Sequence, residues 1–323
     1  MFMFERIQWR AIVASFGLRI IRTLFGMVDP IAPRLAGRVA FEVFCRTADP
    51  RKPSAAERRV LERSRDFMQE ARLHRLTVGG GCVAAHEFRP ASGRWSATVL
   101  VIHGWKSRTE HMRAVIDGFR NAGVRAIALD LPGHGASSGR RLNMAIAVSA
   151  VQAADLWFGP FDAMVGHSFG GAVAVNAAVG SITGVEKVRT DRLVLIAAPS
   201  SLPMIFADFG RFLNLGPRTQ TAIAGIVERI AGQPLEAYAG QYQLAEHPIE
   251  TLVMHAADDK EVSPLHAEGY AKAGAHVRLA WVNGLGHRRI VSDPSVVVQA
   301  VDFGLAEAVD VPAPRRAATR HKG

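Results

Sequence analysis

Between Ala163 and Ala178 the chain changes character within a few residues. An apolar run ends in Gly166-His167-Ser168-Phe169-Gly170-Gly171, a G-x-S-x-G sequence, and a run of small, helix-compatible residues follows from Gly171 to Ala178. This is the sequence form of a nucleophile elbow, a strand that turns sharply into a helix around a serine. A serine alcohol is a poor nucleophile unless the fold holds it where a base can take its proton. Glycines flanking the serine leave the backbone room to bend. The new helix aims its first N–H groups at the spot where negative charge develops.

An elbow serine needs a base and an acid, and on this scaffold they follow it in the order acid, then histidine. Four histidines lie between Ser168 and the C-terminal tail: His247, His255, His266 and His287. Only His287 sits in a loop that opens just after a strand-like run (Val277 to Val282) and is set off by glycines, Asn283-Gly284-Leu285-Gly286-His287. Upstream, the apolar run Ile249 to Met254 leads into His255-Ala256-Ala257-Asp258-Asp259-Lys260-Glu261-Val262, which places carboxylates just past a strand end. Ser168, Asp259 and His287 thus fall in the required order, each at the C-terminal end of its own strand.

With these residues in hand, the chain resembles the α/β-hydrolases from about Arg75 to about Leu305. His103-Gly104-Trp105 after Thr98 to Ile102 resembles the family's oxyanion loop. Asp130-Leu131-Pro132-Gly133-His134-Gly135-Ala136-Ser137 resembles its D-x-x-G-x-G-x-S turn, and the elbow its G-H-S-x-G. The segment from His255 resembles H-G-x-x-D-x-x-V-P, with Ala256 where glycine is usual and Ser263 where proline is usual. That alignment puts the acid at Asp259, while one residue of loop slippage would put it at Asp258. The resemblance implies a triad of Ser168, Asp259 and His287, with an oxyanion held by the backbone N–H groups of Trp105 and Phe169.

Other residues have plainer readings. His103 fastens its loop, His134 and His167 are structural or pocket-lining, and His255 packs at a strand end. Asp130 precedes the serine and so breaks the triad order. The Gly133 and Gly135 pair lacks the third glycine of a phosphate loop and reads as a turn. There is no Walker-type loop and no H-E-x-x-H or paired C-x-x-C spacing, so neither cofactor nor metal is expected.

The formal charge of +10 would suggest a nucleic-acid partner until it is mapped. Residues 76–310 hold twenty Lys or Arg against twenty-one Asp or Glu, so the excess is carried by the first 75 residues and the last 13. No nucleic-acid-binding motif accompanies it, and none is expected to bind. Two cysteines, Cys45 and Cys82, are too few for a disulfide scaffold and suit a reduced, cytoplasmic chain.

Runs at 97–102, 125–129, 162–166, 192–197, 249–254 and 277–282 read as short buried strands separated by helices. That pattern predicts a mostly parallel sheet with helices on both faces. Leu76 to Val78 and Cys82 to Phe88, joined by three glycines, suit an antiparallel edge hairpin. The expected division is an N-terminal helical extension (1–74), a hydrolase core (75–198 and 249–308), a helical cap (199–248) inserted before the acid-bearing strand, and a basic, disordered tail (309–323). The cap is read from its apolar residues and from its length, too great for a structureless loop.

Within the extension, residues 1–28 mix arginines with large apolar side chains. The longest charge-free piece, Ala11 to Leu18, is far short of a bilayer span. Two readings stand: a helix packed on the body or a second subunit, or a peripheral contact with an anionic membrane surface. A second helix is expected over Arg34 to Phe44, and a third from Ser54 as N-cap through Arg72.

The resulting expectation is a serine hydrolase of carboxylic esters working through an acyl-enzyme, on a small-molecule, apolar or acyl-bearing substrate. Similar triads also serve lactones, carbon–carbon bonds and amides, and a ligand-binding relative that has lost turnover is a further alternative. Dehalogenase and epoxide hydrolase relatives place Asp where Ser168 stands.

Overall fold

Short runs of Val, Ile, Leu and Ala without internal polar residues form strands that bury both faces, and such strands collect into one parallel sheet. The computed structural model describes residues 15–49, 52–79 and 81–306. Its strands are β1 (Arg72–Val78), β2 (Gly81–Phe88), β3 (Thr98–Ile102), β4 (Arg125–Asp130), β5 (Phe161–His167), β6 (Thr190–Ile196), β7 (Glu250–His255) and β8 (Val277–Trp281). They form a single sheet in the order β1-β2-β4-β3-β5-β6-β7-β8. β2 runs antiparallel to both β1 and β4, and the remaining pairs are parallel. The edge hairpin is as expected, with Val78 paired to Gly81, though β1 extends back to Arg72.

Ahead of the sheet lie α1 (Ser15–Val28), α2 (Pro33–Cys45), α3 (Ala55–Arg63) and α4 (Arg65–Gln69). The crossovers up to β6 carry α5 (Arg113–Asn121), α6 (Met144–Phe158) and α7 (Phe169–Val179). Between β6 and β7 stand α8 (Leu202–Leu213), α9 (Pro217–Ala231) and α10 (Gly240–Glu246), and α11 (Leu265–Ala271) precedes β8. The chain then makes the single turn α12 (Gly286–Arg289) and the helix α13 (Pro294–Gly304). Strand residues alternate between two cores, as the pleat requires. Val99 and Val101 meet Val115 and Phe119 of α5 and Val296 of α13, whereas Leu100 and Ile102 face the layer of α6 and α7.

The helix expected from Ser54 through Arg72 ends sooner. Ser54 and Glu57 form the reciprocal cap of its first turn, at 3.2 and 2.7 Å. The chain breaks at Ser64, α4 follows, and Arg72 is already opposite Glu87 in the sheet. Phe67 stacked on Phe88, with centroids 4.6 Å apart, fixes that break by burying α4 against the strand. Tertiary packing here overrides the helical pattern.

The N-terminal helices pack on the segment between β6 and β7. α2 crosses α9 so closely that a Cβ on Gly37 would lie 2.9 Å from the Ala222 Cβ. Buried Asp29 accepts from the Thr219 N–H at 2.8 Å, satisfying a free donor at the start of α9. On α1, Leu18, Ile21 and Phe25 pack inward. Residues 1–14 and the expected basic tail from 309 lie outside the described residues. Among the described residues no helix is long and apolar enough to cross a membrane. Cys45 and Cys82 are unbridged.

Candidate active site

Parallel strands deliver their C-terminal ends to one edge of the sheet, and the groups singled out in the sequence gather there. β5 ends at His167, and Ser168 follows with φ +53° and ψ −126°, the left-handed bend of a strand-to-helix elbow. Only glycine fits beside it. A Cβ on Gly166 would come within 2.4 Å of the Gly170 carbonyl, and one on Gly104 within 2.9 Å of the Ser168 Cβ.

β7 ends at His255, and the loop after it carries the acid. His287 Nδ1 lies 2.8 Å from Asp259 Oδ2. The other carboxylate oxygen of Asp259 accepts from the N–H groups of Glu261 (2.7 Å) and Val262 (2.9 Å). Burial alone would raise this carboxyl, but the hydrogen bond and charge of His287, together with those N–H groups, outweigh it and hold the group below the usual carboxylate range. Asp258 faces away, exposed, accepting from the Gly284 N–H at 2.8 Å. Of the two adjacent carboxylates, Asp259 is the one placed against His287. His255 is fully buried, with Nε2 3.1 Å from the Val262 carbonyl and 3.5 Å from Asp259 Oδ2.

The loop after β3 is pinned by two histidines. His103 Nε2 accepts from the Leu131 N–H at 3.0 Å, so its Nδ1 carries the proton and donates to the Gly104 carbonyl at 2.7 Å. Burial pushes His103 down to about 3. His134 Nε2 likewise accepts from the Lys106 N–H at 3.0 Å, and burial lowers its pKa too. Lys106 sits at φ +53°, and this bend brings Trp105 beside the elbow, its indole edge-on to the Phe169 ring at 5.4 Å. Among the described residues, neither the Trp105 nor the Phe169 backbone N–H donates to a protein acceptor. Asp130 is a structural anchor, accepting from His86, Thr109 and the Ala136 N–H. The turn over Gly133 and Gly135 folds around it, with no room for a Cβ on Gly135 against the Asp130 carboxylate.

Ser168 and His287 open on one cavity of about 1120 Å³, its mouth included. Its walls are largely apolar, built by Phe41 and Phe44 of α2, Leu202, Ile205, Phe206 and Phe209 of α8, Val227 and Ile230 of α9, and Trp105 and Phe169. Phe44 is the hub, 4.6 Å from Phe206, 5.1 Å from Phe209 and 6.1 Å from Trp105 between ring centroids. Among the described residues, the one ionisable side chain on the wall besides His287 is Glu261, held by Arg288 at 2.8 Å and lying 3.8 Å from His287 Nε2.

Two contributions escape a reading of the sequence alone, and a third residue takes one of the two roles expected of it. Phe41 and Phe44 have the spacing of ordinary core positions, and nothing local separates a core wall from a cavity wall. Glu261 occupies an unspecified place in its motif. His167 Nε2 lies 2.9 Å from the His287 carbonyl and fixes that loop rather than lining the cavity. Among the described residues no group of three His, Cys, Asp or Glu side chains is placed to hold a metal.

The chain belongs to the alpha/beta hydrolase family, whose model matches residues 99–300. It is similar in structure to Est1E from Butyrivibrio proteoclasticus, solved with ferulic acid bound, at 16% identity and a TM-score of 0.55 over 71% of this chain and 97% of that one. The esterase EaEST from Exiguobacterium antarcticum is similar at 16% identity and a TM-score of 0.53, over 71% and 98%. A meta-cleavage product hydrolase from Pseudomonas fluorescens IP01 is similar at 18% identity and 0.53, over 73% and 98%. At such identities the likeness is one of fold. No curated protein matches the chain in sequence.

Proposed function

We propose that the protein hydrolyses carboxylic esters of apolar acyl groups through an acyl-enzyme on Ser168. The observation that carries this reading is the His287–Asp259 pair opening, with the strained Ser168, on one apolar cavity. With its Nδ1–H donating to the Asp259 carboxylate, His287 keeps a free lone pair on Nε2. It takes the Ser168 proton as the oxygen attacks the ester carbonyl, and returns it to the departing alkoxide. Water then attacks the acyl carbonyl, giving a proton to His287, which passes it to the Ser168 oxygen as the acyl–oxygen bond breaks and the acid leaves. The unpaired N–H groups of Trp105 and Phe169 are suited to the oxyanion, where loss of such a donor costs about 3–4 kcal/mol of barrier. EaEST, an esterase of the same fold, supports the choice of bond.

The test combines a fluorophosphonate probe with a p-nitrophenyl ester series. A single adduct on Ser168 and turnover of the esters are expected. Ser168→Ala abolishes both, and Asp259→Asn lowers kcat by about four orders of magnitude, while Asp258→Asn does far less. Labelling that survives Ser168→Ala would overturn the assignment.

A further inference from the structure

One face of the N-terminal helices has no cover. Ile20, Leu24 and Met27 recur at helical spacing on α1, and Ile31, Leu35 and Val39 continue the row through the turn and along α2. All six are between 46 and 83% exposed. A row of this length on one side of a globular protein marks a contact surface rather than scattered exposure.

We propose that this row is a docking surface for an anionic phospholipid bilayer. The charge around it points to that partner. Between residues 15 and 39 stand four arginines, Arg19, Arg22, Arg34 and Arg38, all exposed, against one acid, Asp29. Asp29 is buried and turned inward to the start of α9. The one exposed acid beside the row on α2, Glu42, is paired with Arg141 at 2.8 Å. The face is thus apolar with a mainly cationic fringe, the composition of a helix that lies in a headgroup layer. A protein partner of ordinary surface would leave those arginines without anions, whereas phosphate headgroups supply one for each.

The face is rigid, because the other side of both helices is fixed to the protein. Gly37 crosses Ala222, and Leu18, Ile21 and Phe25 pack inward. α2 is therefore a partition. Leu35 and Val39 look outward, while Phe41 and Phe44 wall the cavity. Docking would lay α1 and α2 against the membrane and leave the cavity one helix away from it. The surface stands on packing and charge, independently of which bond is cleaved.

The test is co-sedimentation of the full chain with phosphatidylcholine vesicles and with vesicles containing added phosphatidylglycerol, at low and high salt. Ile31→Glu/Leu35→Glu and Arg34→Glu/Arg38→Glu are run beside it, with thermal unfolding and hydrolysis of a soluble ester checking that each variant is folded. Binding to the anionic vesicles is expected to exceed that to neutral ones by about tenfold or more, to weaken in high salt, and to fall by about tenfold or more in both variants. Ester hydrolysis in solution stays unchanged. Absence of anionic-vesicle binding, or undiminished binding by folded variants, would overturn the proposal. So would a dimer of the full chain that Ile31→Glu/Leu35→Glu converts to monomer, since the face would then belong to a second copy.

Discussion

Glu261 is a single carboxylate in an apolar wall, and its surroundings decide what it can do. Arg288 restrains it, but Oε2 still lies 3.8 Å from the His287 ring nitrogen that faces the cavity. Desolvated charges interact strongly at such range, so a substrate bearing its own carboxylate meets repulsion there. Glu261→Gln is expected to raise kcat/KM on an anionic half-ester by about five- to tenfold and to leave neutral esters within about twofold. Equal changes on both substrates would show that Glu261 acts by orienting His287 rather than by selecting substrate. His167 makes the complementary case. It is buried and pushed down to about 3 by its burial, and its ring is a neutral strut to the His287 backbone.

At the scale of elements, α2 is the surprise. It precedes every strand, yet Phe41 and Phe44 complete a cavity otherwise framed by the loop after β3, the elbow and the helices after β6. Removing the Phe44 ring deletes aromatic contacts worth about 0.5–1.5 kcal/mol each with Phe206 and Phe209. Phe44→Ala is expected to lower kcat/KM on octanoyl esters by about tenfold while acetyl esters change by less than about threefold, measured across a chain-length series. A uniform loss would place Phe44 outside the acyl subsite. The strands, the hairpin and the Ser–Asp–His order were legible because each depends on local pattern: apolar runs, glycines at bends, motifs at strand ends. The walls were not. Phe41 and Phe44 line a cavity only because α2 lands on α9, a contact that no window of sequence contains. For the same reason the helix from Ser54 is shorter than its sequence pattern suggests, since only pairing with β2 reveals that Arg72 belongs to a strand.

At the scale of the molecule, the fold buries several histidines as neutral groups. His103 and His167 are pushed down to about 3 and His266 to about 4, in each case chiefly by burial. In the unfolded chain such groups protonate near about 6.5. Between those values the unfolded state binds more protons than the folded one, so stability is full above about pH 6.5 and is lost as pH falls toward 4. Each group costs up to about 1.4 kcal/mol per pH unit over that window. Below it, Asp130 and Asp259, both held under the usual carboxylate range, add a further loss as they are forced to protonate. The urea midpoint is therefore expected to decline steadily from pH 7 to 4.5, and a flat profile would contradict the buried neutral state.

The crossing of Gly37 with Ala222 joins residues some 185 positions apart. A ribosome adding about 5–20 residues per second finishes α2 roughly 10–40 s before α9 exists to receive it. Through that interval the nascent chain carries both apolar sides of its first helices uncovered. The wall of the cavity that closes last is thus the first one synthesised.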